Sequence, residues 1–524
     1  MAAAQDARSA GAAESGDSRP TLVVFITVDQ LRSDYHDRFA SQLDGGLARL
    51  YRGAVFTNAH QDHAITETAP GHASTLSGRF PASTGILMNS AGVSDPQSRL
   101  VGGGGPGASP FRFRGSTLID WMRVADPRSR ALSISRKDRG AILPLGRAHQ
   151  PAFWYPGDGR FTTSDYYADT LPTWLQEFNA RRLPQSHAGR AWTLLLPESA
   201  YVEPDSGILE NRGQDFLFPH VLSADTARAV SSIVAFPWMD ELIADAALAG
   251  VNAMGLGSGP QTDLLAVSFS TTDAIGHAYG PDSRELHDQI LRLDRTIGRF
   301  MDSLYVLRDS SRIVFALTAD HGVAPLPEVR SRYPNQGGMR YDLGAMRAAA
   351  SAVLKTFGAP DSAVTFRDDM VRVDRAALAR AGVRTEAMLD AYAAALRAIP
   401  GVARVDRWRD LATMDTVKDE VARRWIHMIA PDLAPELVVT MKPYSASTTQ
   451  QSFTHGLPYE HDSHVPVVFY GAPFRPGRYD AFTRVVDMAP TLAAVLGVQP
   501  TERLDGRVLE AALRNPPMVG GGGR

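Results

Sequence analysis

Five residues of metal-binding type follow three strand-like runs of the chain. Asp29 comes directly after TLVVFITV, Asp273 and His277 follow DLLAVSFSTT, and Asp320 and His321 follow RIVFALTA. In an open parallel sheet, ligands bind beyond the carboxyl ends of the strands, so we expect these side chains at one rim. Carboxylate and imidazole together suit zinc or a similar divalent ion. A turn after a strand is an ordinary role for a single Asp, but three such ends with two histidines favour a metal site.

Thr68 is the candidate nucleophile. It lies in TETAPGHASTLSG, where Pro70 predicts the first turn of a helix. A threonine hydroxyl is a weak nucleophile at neutral pH, and both a metal ion and the positive end of a helix dipole would activate it. The free N–H groups of a helix N-terminus also suit a bound phosphate. An N-cap is the plain structural alternative for Thr68, and the two roles are compatible.

Composition limits the class of protein. The chain has 524 residues, more than one compact core usually holds, so a core with insertions or several domains is expected. The net charge of −3 gives no indication of a nucleic-acid polymer or a polybasic membrane partner. No apolar run is long enough to span a bilayer. Because cysteine is absent, disulfides, a cysteine nucleophile and thiolate zinc sites are excluded.

The pattern of apolar and polar residues predicts an α/β core interrupted twice. The first interruption is rich in Trp, Tyr, Phe, Pro and Gly without a clear period, and the second mixes Ala-rich helices with short strands. The predicted division is a flexible N-terminus (1–20), a core (21–148, 224–325 and 450–515), a cap insertion (149–223), a small α+β insertion (326–449) and a flexible tail (516–524). The first 20 residues lack the apolar stretch of a signal peptide.

The motif Thr68-Ala-Pro-Gly-His72, together with the strand-end pattern, resembles the alkaline phosphatase superfamily. The resemblance is to the branch with a threonine nucleophile, which is shared with type I phosphodiesterases and nucleotide pyrophosphatases. It covers the core segments, to about residue 510. It implies an α/β fold in which helices sandwich a mixed, largely parallel sheet with cap insertions, and it implies two Zn²⁺ ions per chain.

Three further residues resemble the phosphate-binding groups of the bacterial, PafA-like alkaline phosphatases in that branch. They are Lys137 and Arg139 in SRKDRGAILPLG and Asn89 in GILMNS. A monoester dianion has three non-bridging oxygens, and cations and amide donors fixed around them stabilise the transition state. One oxygen of a diester is blocked, so such a clamp favours the monoester. Outside the family pattern, Lys137 and Arg139 would be ordinary solvated charges.

The resemblance also requires one more histidine ligand. HGLPYEHDSHVP offers His455, His461 and His464. If VPVVFYG is parallel to the other strands, His464 lies at the end away from the rim, so we expect His455 as the ligand and His464 as the alternative. His72 is expected to support the nucleophile turn. The implied ligands are Asp273, His277 and His455 for one ion, and Asp29, Asp320, His321 and the Thr68 oxygen for the other.

These expectations describe a periplasmic or secreted zinc-dependent alkaline phosphatase that hydrolyses small phosphate monoesters through a phosphothreonine on Thr68. A phosphodiesterase or nucleotide pyrophosphatase using the same metals is the first alternative, which the Lys137 and Arg139 clamp disfavours. A sulfatase is disfavoured because, without cysteine, formylglycine could arise only from serine. A non-catalytic protein that binds phosphoryl ligands is disfavoured because every expected catalytic residue type is present.

Overall fold

The computed structural model describes residues 19–205, 207, 209–328 and 338–516. The two segments predicted to be flexible, 1–20 and 516–524, lie outside these ranges except for Arg19, Pro20 and Pro516. Across the described ranges, every helix falls short of the length and apolar character that a membrane crossing needs.

The described residues form six sheets. Their strands, in chain order, are β1 (Leu22–Val28), β2 (Ala54–Phe56), β3 (Ala59–His60), β4 (Ser94–Arg99), β5 (Pro106–Ala108), β6 (Ala131–Ser135), β7 (Ala152–Trp154), β8 (Ala191–Trp192), β9 (His220–Val221), β10 (Asp263–Phe269), β11 (Ile313–Thr318), β12 (Arg340–Tyr341), β13 (Val364–Arg367), β14 (Met370–Val373), β15 (Val402–Arg407), β16 (Leu437–Met441), β17 (Ala446–Ser447), β18 (Val467–Tyr470), β19 (Gly477–Tyr479) and β20 (Thr483–Arg484).

The largest sheet has eight strands in the order β19-β2-β18-β11-β1-β10-β6-β7. Its middle strand β1 is parallel to both β10 and β11, and β10 is parallel to β6. Every residue of β1, β10 and β11 is buried. Strands covered on both faces are continuous apolar runs rich in β-branched and aromatic residues, which is what LVVFITV and IVFALT are. The prediction of a mixed, largely parallel sheet with helices is confirmed.

The helices connect and flank these strands. Those of the described residues are α1 (Asp34–Phe39), α2 (Gly46–Leu50), α3 (Thr68–Ser77), α4 (Pro81–Thr84), α5 (Leu118–Ala125), α6 (Asp138–Ile142), α7 (Thr173–Ala180), α8 (Leu183–Ser186), α9 (Thr226–Ser232), α10 (Trp238–Met254), α11 (Thr271–Tyr279), α12 (Arg284–Leu307), α13 (Leu343–Phe357), α14 (Arg375–Arg380), α15 (Thr385–Arg397), α16 (Trp408–Leu411), α17 (Glu420–Met428), α18 (Glu460–Ser463) and α19 (Met488–Leu496). Helix α10 packs on β6 and β10, and α12 packs on α10 and α2.

A second sheet lies in the segment predicted as the α+β insertion. It is antiparallel, in the order β13-β14-β16-β15, and residues of α13 and α15 form a separate buried cluster with it. The segment predicted as the cap contributes β7, which pairs with β6 at the edge of the central sheet. The division of the chain into one core and two insertions stays a prediction.

The orientation of β18 corrects one premise of the sequence analysis. His464 was expected away from the rim on the condition that VPVVFYG is parallel to the other strands, but β18 is antiparallel to β11, with Val467 opposite Thr318. Its N-terminal end therefore lies at the same rim as the carboxyl ends of β1, β10 and β11. Strand direction cannot exclude His464 from that rim, so the position of its side chain has to decide.

Candidate active site

Three adjacent strands deliver the predicted metal ligands to one rim. Asp29 directly follows β1, and Asp320 and His321 follow β11. Asp273 and His277 lie on α11, which a single residue separates from the end of β10. Because β10, β1 and β11 are neighbours in the sheet, the chain after each strand emerges side by side. Side chains that are far apart in the sequence thus converge on a small volume.

The ligand atoms form two groups that share one histidine. Atoms of Asp273, His321 and His455 lie within 4.8 Å of one another, as do atoms of Asp29, Asp320 and His321. His277 adjoins the first group, because its Nε2 lies 3.1 Å from Asp273 Oδ1. All six predicted protein side chains other than Thr68 are therefore brought together.

The histidines present the same ring nitrogen to the centre. Nδ1 of His277 donates to the Phe453 carbonyl at 2.6 Å, Nδ1 of His321 to the Gly322 carbonyl at 2.9 Å, and Nδ1 of His455 to the Thr66 carbonyl at 2.7 Å. A carbonyl can only accept, so Nδ1 carries the proton and Nε2 keeps its lone pair. Fixing the tautomer and ring orientation in this way is typical of metal-binding histidines.

The carboxylates fit a divalent cation. Asp29 Oδ1 and Asp320 Oδ2 are buried and accept no hydrogen bond from the described residues. Burial raises the pKa of Asp29 to about 7, and the negative charges of Asp273 and Asp320 add to that rise. A dication among these groups would remove the repulsion, and the mixture of carboxylate oxygen and imidazole nitrogen matches zinc.

Neighbouring charges tune the other ligands. Burial acts to raise the pKa of Asp273, but Lys137 and His277 outweigh it and hold that pKa well below its usual value. Burial lowers the pKa of the His455 imidazole well below its ordinary value, and the charges of His321 and His277 act in the same direction. His455 is therefore neutral, as a metal ligand must be.

Thr68 lies at the start of α3 and faces this centre. Its Oγ1 is 3.4 Å from His321 Nε2, and the side chain is buried. Gly71 permits this approach, because a Cβ there would lie 2.3 Å from the Asp320 carbonyl oxygen. His72 Nδ1 donates to the Thr68 carbonyl at 3.0 Å and lies 3.2 Å from Asp320 Oδ2, so it links the turn of the predicted nucleophile to a predicted metal ligand.

The predicted phosphate-binding residues differ in how closely they approach Thr68. Lys137 Nζ donates to Thr68 Oγ1 at 3.2 Å. Asn89 Oδ1 accepts the N–H of Ala69 at 2.8 Å, which fixes the amide beside the helix start and leaves Nδ2 as its donor. Arg139 lies on α6 with Nη1 3.5 Å from Asp138, and its buried Nε has no hydrogen-bond partner among the described residues.

The alternative histidine is turned away from the metal ligands. His464 Nε2 donates to the Thr57 carbonyl at 2.9 Å, and its Nδ1 lies 3.4 Å from Glu460. The His461 ring lies 4.1 Å from the Tyr444 ring in a tilted arrangement, and its Nε2 lies 3.7 Å from Asp462 Oδ2. His455, in contrast, stacks on His321 with ring centroids 3.5 Å apart.

The segment before Thr68 is held by the predicted α+β insertion. Ile65 and Met88 share a buried cluster with Met370, Trp425 and other residues of that segment. The Ile65 N–H also donates to the sulfur of Met428 at 3.3 Å. The predicted insertion therefore packs against the residues that flank Thr68 and Asn89.

Sequence analysis missed two residues of the site, Gln30 and Glu67. Glu67 precedes α3, and its Oε2 accepts the N–H of Asn89 at 2.6 Å. Gln30 is fully buried and contacts both Asp273 and Asp320. Their positions, directly beside Asp29 and Thr68 in the sequence, were the available signal.

Comparisons with known proteins agree on one group of relatives. The family model for type I phosphodiesterase/nucleotide pyrophosphatase matches residues 23–456. The chain is 30% identical over 526 residues to alkaline phosphatase PhoV of Synechococcus elongatus, covering 95% of this chain and 94% of that protein. It is 29% identical to alkaline phosphatase PafA of Elizabethkingia meningoseptica, covering 92% of each. The crystal structure of wild-type PafA matches with a TM-score of 0.87 at 27% identity, covering 94% of this chain and 99% of that one.

Proposed function

Because this chain belongs to the type I phosphodiesterase/nucleotide pyrophosphatase family and is a hydrolase, we propose that it is a zinc-dependent alkaline phosphatase. Its substrates are small phosphate monoesters, and its nucleophile is Thr68. The relatives PhoV and PafA, which match over nearly the whole chain, are alkaline phosphatases by name. The place of action that fits such an enzyme is the periplasm or the cell exterior.

One observation carries the proposal. Lys137 Nζ lies within 3.2 Å of Thr68 Oγ1 and 2.5 Å of Asp29 Oδ2, so a cation, a nucleophile and a ligand carboxylate meet at one point. A phosphoryl group entering there would meet the hydroxyl that attacks it and an ammonium that neutralises its oxygens. This combination supports phosphoryl transfer over simple ligand binding.

The family resemblance divides these side chains into two ligand sets. Asp273, His277 and His455 would hold one zinc ion, and Asp29, Asp320, His321 and Thr68 Oγ1 the other. When bound, two zinc ions supply Lewis acidity that favours the deprotonated Thr68 and water and stabilises charge on the leaving oxygen.

The chain's own residues carry the remaining steps. Thr68 Oγ1 gives up its proton to solvent and forms a bond to phosphorus as the bond from phosphorus to the leaving oxygen breaks, and the leaving oxygen takes the electron pair and then a proton from solvent. Water next attacks phosphorus and gives up one proton as the bond from phosphorus to Thr68 Oγ1 breaks. Thr68 Oγ1 takes that electron pair and a proton, and phosphate departs. The N-terminal end of α3 and Lys137 stabilise negative charge in both transition states.

The preference for monoesters comes from the clamp formed by Asn89, Lys137 and Arg139. A monoester dianion offers three free oxygens to these groups, whereas a diester offers two and carries less charge. Phosphodiesterase action is the second candidate, because the family model covers phosphodiesterases. The ammonium of Lys137 next to Thr68 favours the monoester.

Metal analysis combined with steady-state kinetics tests the proposal. Purified protein should contain about two zinc ions per chain and hydrolyse an aryl phosphate monoester faster than the matching diester. Removal of zinc with a chelator should abolish turnover, and added zinc should restore it. Full activity without metal would refute zinc dependence, and faster diester hydrolysis would assign the chain as a phosphodiesterase.

A further inference from the structure

Gln30 has a backbone conformation that is unusual for its residue type. Its φ is 66°, in the left-handed region that favours glycine, and the residue is fully buried directly after Asp29. Such a conformation persists only where the surrounding structure holds it, and it is often found where a chain positions functional groups. What Gln30 contacts therefore indicates what the conformation achieves.

The two polar ends of Gln30 contact the two different groups of metal ligands. Its backbone N–H donates to Asp320 Oδ1 at 3.1 Å, and its side-chain Nε2 donates to Asp273 Oδ1 at 3.0 Å. These carboxylates lie 290 and 243 positions away in the sequence. The left-handed turn after Asp29 thus lets one residue donate to a carboxylate of each group.

The carboxamide of Gln30 also lies close against α11. Gly276 lies on α11 between Asp273 and His277, and a Cβ at Gly276 would lie only 1.8 Å from Gln30 Oε1. The absence of a side chain at position 276 is therefore what allows the amide to reach Asp273. The same Asp273 Oδ1 lies 3.1 Å from His277 Nε2 and 3.9 Å from His455 Nε2.

We propose that Gln30 is a positioning residue that aligns the two zinc subsites with each other. Its side-chain Nε2 orients the Asp273 carboxylate toward His277 and His455, while its backbone N–H orients the Asp320 carboxylate. Because both contacts come from one residue with a fixed backbone, they fix the relative position of the two sets of ligands. This inference rests on the proposed function, since it assumes that the carboxylates bind metal.

Zinc affinity measured in two steps tests the role of the Gln30 side chain. Competition with a chromophoric chelator gives the affinities, and Asp273→Asn and Asp320→Asn identify which step belongs to which subsite. Gln30→Gly keeps the left-handed backbone and its N–H without strain and removes the side chain with its carboxamide. We expect it to weaken the Asp273 step by about 10- to 100-fold, as loss of a group that orients a ligand typically does, and to leave the Asp320 step nearly unchanged.

Gly276→Ala tests the same contact from the opposite side. Alanine is the better helix former, so α11 itself should not be weakened, but the new methyl group displaces the Gln30 amide. We expect the same selective loss in the Asp273 step. Gly344→Ala, on the exposed face of α13, is the matched control and should leave both affinities at the wild-type value.

The outcomes separate this inference from the proposed function. If wild type binds two zinc ions and both Gln30→Gly and Gly276→Ala bind them equally well, Gln30 does not position the ligands. If Gln30→Gly fails to fold, Gly276→Ala decides alone. If wild type takes up no zinc, the proposed function itself is wrong, and so is the positioning role of Gln30 that rests on it.

Discussion

Lys137 Nζ lies 3.2 Å from Thr68 Oγ1, although 69 positions separate the two residues in the sequence. The same ammonium contacts Asp29 Oδ2 at 2.5 Å and Asp273 Oδ2 at 2.7 Å. The strand β6 ends just before Lys137, and α3 begins at Thr68, so two separate elements bring the cation and the hydroxyl together. A phosphoryl group on Thr68 would thus form next to a fixed positive charge.

The first prediction concerns substrate preference. Lys137→Ala and Arg139→Ala should each lower kcat/KM for an aryl monoester much more than for the matching diester, because the monoester places more charge on free oxygens. Loss of one well-placed contact in such a site costs about 10²–10³ in rate. The decisive measurement is the ratio of the two kcat/KM values in wild type and both variants.

A matched control removes a cation far from Thr68. Arg128 is exposed and pairs with Asp126, so Arg128→Ala should leave the ratio unchanged. An unchanged ratio in Lys137→Ala and Arg139→Ala as well would show that these cations do not select monoesters.

The second prediction concerns the nucleophile. Thr68→Ala should abolish nearly all monoesterase activity, because no oxygen remains at the start of α3 to attack phosphorus. Protein and zinc content should stay close to wild type, since the other ligands hold each ion. Thr68→Ser retains a hydroxyl and should keep substantial activity. Near-wild-type turnover by Thr68→Ala would refute the assignment.

The third prediction separates the two candidate histidines. His455→Ala should lose one zinc ion per chain and most activity, because the imidazole faces Asp273 and His321. His464→Ala should keep both ions, because that side chain contacts the Thr57 carbonyl and Glu460 instead. Metal analysis of the two purified variants, side by side, gives the answer, and the reverse pattern would make His464 the ligand.

The side chains at the rim of the central sheet could be predicted from the sequence, because each strand and the polar residue after it form a local pattern. Strands buried on both faces must be continuous apolar runs, so the polar residues that end them, Asp29, Asp273 and Asp320, are conspicuous. The direction of β18 could not be predicted in the same way, because VPVVFYG has the same apolar pattern in a parallel and an antiparallel strand. His464 lies apart from the predicted metal ligands because its side chain contacts the Thr57 carbonyl and Glu460, and not because of the direction of β18.

The role of Gln30 could not be predicted from the sequence, for a different reason. A glutamine after a strand has no pattern that reveals a left-handed φ, and its partners Asp273 and Asp320 are fixed only when three strands and α11 are packed. The same holds for Glu67, whose contact with the Asn89 N–H depends on the turn that follows α4. Contacts between distant segments require the tertiary fold.

The last prediction concerns acid stability and a buried carboxylate outside the site. Asp62 contacts Arg484 Nε at 2.8 Å, Arg423 Nε at 3.1 Å and His427 Nδ1 at 3.3 Å. Burial acts to raise the pKa of Asp62, but the hydrogen bond and charge of His427 and the two arginines outweigh it and lower that pKa below 3.8. A carboxylate with a lowered folded-state pKa stabilises the protein above its unfolded pKa, and the contribution is lost as the pH falls below it.

Asp62→Asn should therefore lower the free energy of unfolding at pH 7 by about 3–5 kcal/mol, because it takes the carboxylate charge away from the fully buried Arg424, whose Nε lies 3.5 Å from Asp62, as well as from the three partly buried cations. The difference from wild type should shrink as the pH falls below about 4, because the Asp62 carboxyl of the unfolded wild-type chain then binds a proton while the folded protein still holds it charged. Urea unfolding of both proteins at several pH values, with chelator present throughout, measures this difference in the free energy of unfolding. Asp302→Asn, which breaks an exposed pair with Arg49, is the control and should cost less than about 1 kcal/mol. A difference between Asp62→Asn and wild type that stays constant down to pH 3 would contradict the lowered pKa, because protonation of Asp62 would then make no contribution to acid unfolding.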